Sequence, residues 1–213
     1  MFDLTLATLI SRLVILAVAF SVHEFAHAWM AVYFGDETPR MQGRLTLNPL
    51  AHLDPIGSLM LLVAGFGWAK PVQVNPYALM RSSANAMMLV ALAGPVSNFL
   101  LALFGSIPFQ TGVLAWNGAR GAIFPTASQF LSEFVFINLL LTFFNLIPLF
   151  PLDGEKILMH FLPPDGQRVM DRIRPYSTFI LLGLVFILPQ LGLDVLGWLI
   201  LTPTRFFLNL FVF

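Results

Sequence analysis

Residues 13–34 read LVILAVAFSVHEFAHAWMAVYF. An apolar run of this length suits one membrane-crossing helix, which needs about 20 residues. Arg12 precedes the run and Gly35-Asp36-Glu37 follow it. Inside it stand His23, Glu24 and His27, ionisable groups that are expensive in a bilayer and mark function. Histidines at i and i+4 share a helical face, so both imidazoles can reach one metal ion. Glu24 is offset by about 100° from His23 and about 60° from His27. That puts a carboxylate beside the ion, where it can take a proton from bound water. Two imidazoles, a carboxylate and water suit zinc in an open tetrahedral site. A chance His-Glu-x-x-His in a chain this long is roughly a one-in-a-hundred event.

The composition agrees with a membrane setting. Of 213 residues, 58% are hydrophobic and only 10% charged, against roughly 25% charged in soluble domains. This excludes an ordinary soluble domain and a disordered chain. Eleven Lys and Arg balance eleven Asp and Glu, and no basic patch for nucleic acid is present. The absence of cysteine removes disulfides, thiolate ligands and a cysteine nucleophile. The fold class expected is an α-helical polytopic membrane protein, a single domain over residues 1–213. Its core falls at about 10–160, with a C-terminal helix and tail over 175–213.

About four spans are expected. After the first, Ala84–Ile107 and Ala127–Leu149 each fit one helix. Tyr176–Leu201 fits a fourth, with a kink or break at Pro189 and Gly192. Thr204–Phe213 is apolar but too short to cross. Pro55–Trp68 is apolar, short and weakened by Gly57, Gly65 and Gly67, so a re-entrant or internally packed segment is expected between the first two spans. Gly43–Leu47 and Val72–Val74 alternate as strands do. Met1-Phe2-Asp3 lacks the basic start of a cleavable signal peptide.

Lys and Arg set the orientation. Arg40, Arg44, Lys70 and Arg81 follow the first span, Arg120 follows the second, Lys156, Arg168, Arg172 and Arg174 follow the third, and Arg205 lies in the tail. This alternation puts the N-terminus outside and the first and third loops in the cytoplasm. The metal needs a third ligand, for which Asp36, Glu37, His52, Asp54, Glu133, Asp153 and His160 are candidates. The first and third spans run the same way, so Asp153 arrives at the cytoplasmic end that holds His23 and His27, and Glu133 at the opposite one. Asp153 lies in Asn145-Leu146-Ile147-Pro148-Leu149-Phe150-Pro151-Leu152-Asp153-Gly154. Its prolines end a helix and hold the chain extended, and Gly154 permits a close turn.

With these elements the chain resembles the site-2 protease family of intramembrane zinc metalloproteases. His23–His27 and Asn145–Gly154 carry the resemblance, with Gly43–Pro49, His52–Gly57, Gly65–Pro71 and Ala93–Asn98 between them. It covers about residues 10–160 and is similar to the compact prokaryotic branch without a PDZ domain. The resemblance implies one zinc ion per chain on His23, His27 and Asp153, with Glu24 as general base and acid. It implies that Asn145 helps hold substrate or the developing oxyanion, and that Gly65-Phe66-Gly67 forms a re-entrant loop that pairs with unwound substrate. The implied partners are transmembrane protein substrates within the lipid bilayer of a prokaryotic cell. Substrate rules that rest on a PDZ domain do not carry over.

The expected activity is peptide-bond hydrolysis in or near transmembrane segments, close to the cytoplasmic side. The alternative is a non-catalytic zinc-binding membrane protein or a transporter. A transporter calls for polar groups along a path through the bilayer, and a degenerate protease would more readily have lost Glu24. A serine hydrolase would call for Gly-x-Ser-x-Gly, which is absent from the sequence. His52 and Asp54 are expected to hold the re-entrant segment by hydrogen bonds. Asn98 either bonds a neighbouring helix or faces the site. His160 is expected in solvent.

Overall fold

The computed structural model describes residues 5–54, 57, 69–116, 121 and 123–213. The described helices are α1 (Leu6–Tyr33), α2 (Thr38–Met41), α3 (Pro49–His52), α4 (Pro76–Ser82), α5 (Ala86–Gln110), α6 (Ala127–Asn145) and α7 (Asp153–Phe161). A continuous run α8 (Pro164–Leu191) and a last helix α9 (Val195–Val212) follow. Among the described helices, α1, α5, α6, α8 and α9 are long and apolar enough to cross a membrane.

Thr5 starts α1 by accepting the Thr8 N–H on its side-chain oxygen, at 3.2 Å. Gly35, at φ +84°, ends it in the left-handed conformation that glycine adopts without strain. Along α1 the buried face steps by four: Ala7, Ser11, Ile15, Ala19, His23, His27, Ala31. On α5 the same step buries Ala86, Val90, Gly94, Asn98, Ala102 and Ser106. Small residues at this spacing let two apolar helices approach closely without a hydrophobic driving force between them. Val90 and Asn98 of α5 meet His27 and His23, so α5 runs antiparallel to α1. The Thr8–Gln129 and Asn98–Asn138 contacts place α6 parallel to α1.

The C-terminal third corrects the expected boundaries. Tyr176–Leu201 is not one helix: α8 ends at Gly192, φ +78°, and α9 starts afresh on Asp194, whose carboxylate accepts the Gly197 N–H at 2.8 Å. Thr204–Phe213 is therefore no short appendage but mostly the second half of an 18-residue helix. Leu196 and Ile200 pack with Ile147, Leu152 and Leu181. Phe207 stacks on Phe143, with ring centroids 5.8 Å apart. Phe211 and Val212 pack with Phe109, Val135 and Leu139. Thus α9 runs antiparallel to α6, and the end of α8 lies where α6 ends.

The strand expectation also needs correction. Among the described residues there is no strand, only one isolated antiparallel bridge between Leu53 and Ala69. Gly43–Leu47 forms a turn, tied by Arg44, whose guanidinium donates to the carbonyls of Ala51 and Lys70. Residues 70–75 form neither helix nor strand: Lys70 N–H donates to His52 O, Val72 N–H to Glu24 and Asn75 N–H to Asp36. Apart from Gly57, the expected re-entrant segment Pro55–Trp68 lies outside the described residues.

Candidate metal centre

His23 and His27 project from the buried face of α1, with ring centroids 4.6 Å apart and planes at 84°. Asp153 opens α7 and reaches the same point. Beyond α6 the chain turns through Leu149 N–H to Ile147 O and Leu152 N–H to Leu149 O. Gly154 then passes so close to the carbonyls of Leu146 and Ile147 that a Cβ there would overlap both. Arg174 of α8 clasps the arm from outside. Its guanidinium lies 4.8 Å from the Phe150 ring centroid, and its Nε is 3.6 Å from Glu155 Oε1.

The convergence is close. His23 Nε2 and His27 Nε2 are 3.0 Å apart, and Asp153 Oδ2 lies 3.2 Å from the first and 3.1 Å from the second. Ligands about 2.0–2.1 Å from a tetrahedral zinc ion stand about 3.3 Å from one another. The three atoms therefore make one face of such a tetrahedron. His27 Nδ1–H donates to the Val90 carbonyl at 2.7 Å, and that carbonyl can only accept, so Nε2 carries a lone pair. His23 Nδ1 meets Asn98 Oδ1 at 2.5 Å. Gly94 of α5 opens the space beside them: a Cβ there would lie 2.6 Å from His23 Nε2 and nearer still to His27 Nε2. Two imidazole nitrogens and a carboxylate oxygen converging within 3.2 Å of one another are a donor set that could hold zinc, and Gly94 keeps a side chain out of their surroundings.

All three residues are buried. Asp153 turns Oδ2 toward both imidazoles. Its second oxygen, Oδ1, is 3.7 Å from Lys156 Nζ. Glu24 is buried next to the pair, and its Oε2 accepts the Val72 N–H at 2.9 Å.

The other candidate ligands go elsewhere. Asp36 accepts the backbone N–H groups of Thr38 and Asn75, and Glu37 pairs with Arg40 at the surface. His52 donates from Nε2 to Thr46 O at 2.8 Å, and Asp54 accepts the Gly57 N–H at 2.8 Å. Apart from Gly57, the re-entrant segment that they were expected to hold lies outside the described residues. Glu133 accepts from Gln129 on its own helix, and His160 is exposed. Asn145 is not aimed at the centre: its Nδ2 donates back to Leu141 O at 3.0 Å. Gly94, Asn138 and the Val72 amide escaped the sequence reading. The polar Asn138 within an apolar span was the one visible signal among them.

Comparison with known proteins agrees. The profile described as peptidase family M50 matches residues 111–188, which include Asp153. "Putative zinc metalloprotease YwhC" of Bacillus subtilis is 45% identical over 193 residues, covering 89% of this chain and 85% of that protein. Rip2 of Mycolicibacterium smegmatis bears the same description and is 31% identical over 174 residues, covering 80% of this chain and 64% of its own length. Rip2 of Mycobacterium tuberculosis strain H37Rv is 31% identical over 185 residues, covering 85% of this chain and 66% of its own. No solved structure matches. On these relatives, and with His23, His27 and Asp153 placed where they could hold a metal ion among membrane-length helices, the chain belongs to peptidase family M50, the zinc-dependent proteases of the site-2 type.

Proposed function

We propose that the chain hydrolyses peptide bonds within or beside transmembrane segments of membrane-protein substrates. The observation that carries this is the convergence of His23 Nε2, His27 Nε2 and Asp153 Oδ2 within 3.2 Å, with Glu24 alongside. Zinc held there supplies a Lewis acid that acidifies a bound water and polarises a carbonyl. Glu24 takes the proton of the attacking water and returns it to the leaving amine. Val72 N–H anchors Oε2 and leaves Oε1 for the reacting water. Asn145 reaches the developing oxyanion only after its amide leaves Leu141 O, so its part requires a rotamer change as substrate binds. The unwound substrate lies along residues 70–75, next to Glu24.

The chain forms one membrane-embedded domain of four crossings: α1, α5, α6 and α9. Parity supports this count. Helix α6 ends and α9 begins at the same end of the bundle, so α8, which joins them, enters and leaves on one side. The arginines and lysines at that end, Lys156, Arg168, Arg172 and Arg174, orient it toward the cytoplasm and leave the N-terminus outside. The zinc centre then lies in the cytoplasmic half, where water enters.

The test is to purify wild type and Glu24→Gln in detergent and measure bound zinc and cleavage of a designed transmembrane substrate. Zinc in both with cleavage only in wild type is expected. Cleavage by Glu24→Gln at the wild-type rate would refute the assignment of Glu24, and wild type without zinc after resupply would refute the centre itself.

A further inference from the structure

We propose that Asn138 and Asn98 form a directional hydrogen-bond relay that fixes the tautomer of His23, and are thus positioning residues for the metal. The inference deepens the zinc-centre reading and rests on it. A side-chain amide can be built either way round, and its neighbours decide which way is right. Here backbone carbonyls, which only accept, decide at two points. Asn138 Nδ2 is 2.9 Å from Phe134 O, so that atom is nitrogen and Oδ1 faces Asn98. Asn98 Nδ2 donates to Asn138 Oδ1 at 2.9 Å and to Ala19 O at 3.3 Å. Asn98 Oδ1 therefore faces His23 Nδ1 at 2.5 Å, and an amide oxygen can only accept. His23 must carry a proton on Nδ1, and the neutral ring then has its lone pair on Nε2, the atom that converges with His27 and Asp153.

The arrangement is sealed. Asn98 and Asn138 are both 0% exposed and His23 is 6% exposed, so water offers no alternative partner. The relay draws on three helices: α6 orients Asn138, α1 and α6 together orient Asn98, and α5 carries Asn98 to the ring. His27 needs no such chain, because the Val90 carbonyl of α5 meets its Nδ1 directly. The hydrogen bond on one imidazole nitrogen determines which form the other takes. Partners of this kind also hold the ring's orientation toward a metal.

The chain has four histidines, so ring-nitrogen NMR of full-length protein labelled with 15N-histidine resolves each tautomer. Metal-free wild type is expected to keep a proton on Nδ1 of both His23 and His27. Asn98→Ala is expected to shift His23 toward Nε2–H, leave His27 unchanged and weaken zinc binding about 10- to 100-fold in chelator competition. Asn98→Asp, which keeps an acceptor, is expected to restore both the Nδ1–H form and the affinity to within a few-fold. Asn138→Ala is expected to produce a smaller shift of the same sign, and to add little on top of Asn98→Ala. His23 as Nε2–H in metal-free wild type would overturn the proposal. So would a folded Asn98→Ala with unchanged tautomer and affinity. Should Asn98→Ala not fold, Asn98→Asp and Asn138→Ala carry the test, and a lost Nδ1–H form in the first or an unshifted His23 in the second overturns the relay. A wild type that takes up no zinc refutes the metal centre instead, and the tautomer, read on metal-free protein, still decides the relay.

Discussion

Gly94→Ala presses one methyl group against both imidazoles of the candidate metal centre. The added Cβ falls 2.6 Å from His23 Nε2 and Cε1, where ordinary contact begins at 3.4 Å, so about 0.8 Å must be found. Neither ring can simply turn away. His27 is bonded to Val90 O and His23 to Asn98, both on the helix that bears the new methyl. Relief must come from α5 moving off α1 or from those bonds breaking. Metal–ligand distances tolerate about 0.2 Å, so the displacement is several times what the centre can absorb. Overpacking costs about 1–3 kcal/mol, and the variant is expected to fold. Zinc affinity is expected to fall at least about 100-fold, equivalent to about 2.8 kcal/mol. The assay is zinc content after equilibration at a fixed free-zinc level, with Tm read with and without zinc. A ligand that binds only the folded state raises Tm, and Gly94→Ala is expected to lose that rise. Gly105→Ala is the control: its methyl meets Phe134 at 2.7 Å on the same helix, away from the centre. It is expected to lower Tm but keep the zinc. One zinc per chain at wild-type affinity in Gly94→Ala would refute the geometry.

Val72→Pro removes the N–H that holds Glu24 Oε2. A hydrogen bond to a charged group is worth about 1.5–3 kcal/mol, so kcat is expected to fall at least about tenfold with zinc content unchanged, and Val72→Ala to leave both near wild type. Equal rates for Val72→Pro and Val72→Ala would show that the amide does not position the base. Gly154→Ala drives a methyl group into the carbonyls of Leu146 and Ile147, backbone atoms with little freedom to yield. It is expected to displace Asp153, lowering zinc affinity and Tm together, and unchanged values of both would remove the close turn from the account.

What the sequence disclosed depended on how local each cause was. The pair His23 and His27 follows from helical period alone. Asp153 lies 126 residues beyond His27; topology brought it to the same end of the bundle, and the family resemblance singled it out from the other candidates there. The break at Gly192 was visible as a glycine after a proline, but its consequence was not. Asp194 recaps the chain at once, so the residues beyond it join a full-length helix rather than a stub. Alternation misled at Gly43–Leu47 and Val72–Val74: Gly43 and Arg44 N–H donate to Arg40 O and Pro39 O, Thr46 O accepts from His52, and Val72 N–H donates to Glu24, so none of these groups pairs with another strand. Asn98 was left between two roles, bonding a helix or facing the site, and the structure joins them. Its Nδ2 ties α1 and α6 together while its Oδ1 meets a metal ligand.

That double duty follows from where the ligands sit. His23 and His27 are two steps in the run of buried residues that continues through Ala19 and Ala31, and Gly94 and Asn98 are two steps in the matching run of α5. The centre is therefore no pocket cut into a finished bundle: its ligands occupy packing positions. Small residues above and below set how closely α1 and α5 approach, and that distance sets the separation between the imidazoles and the α5 groups that orient them. In a membrane, where apolar burial does not drive helices together, each polar group in this seam must meet a partner or remain costly. His23, Asn98 and Asn138 satisfy one another across three helices, and His27 is satisfied by a carbonyl. The hydrogen bonds that hold the helices in register are thus the ones that aim both lone pairs at the metal position.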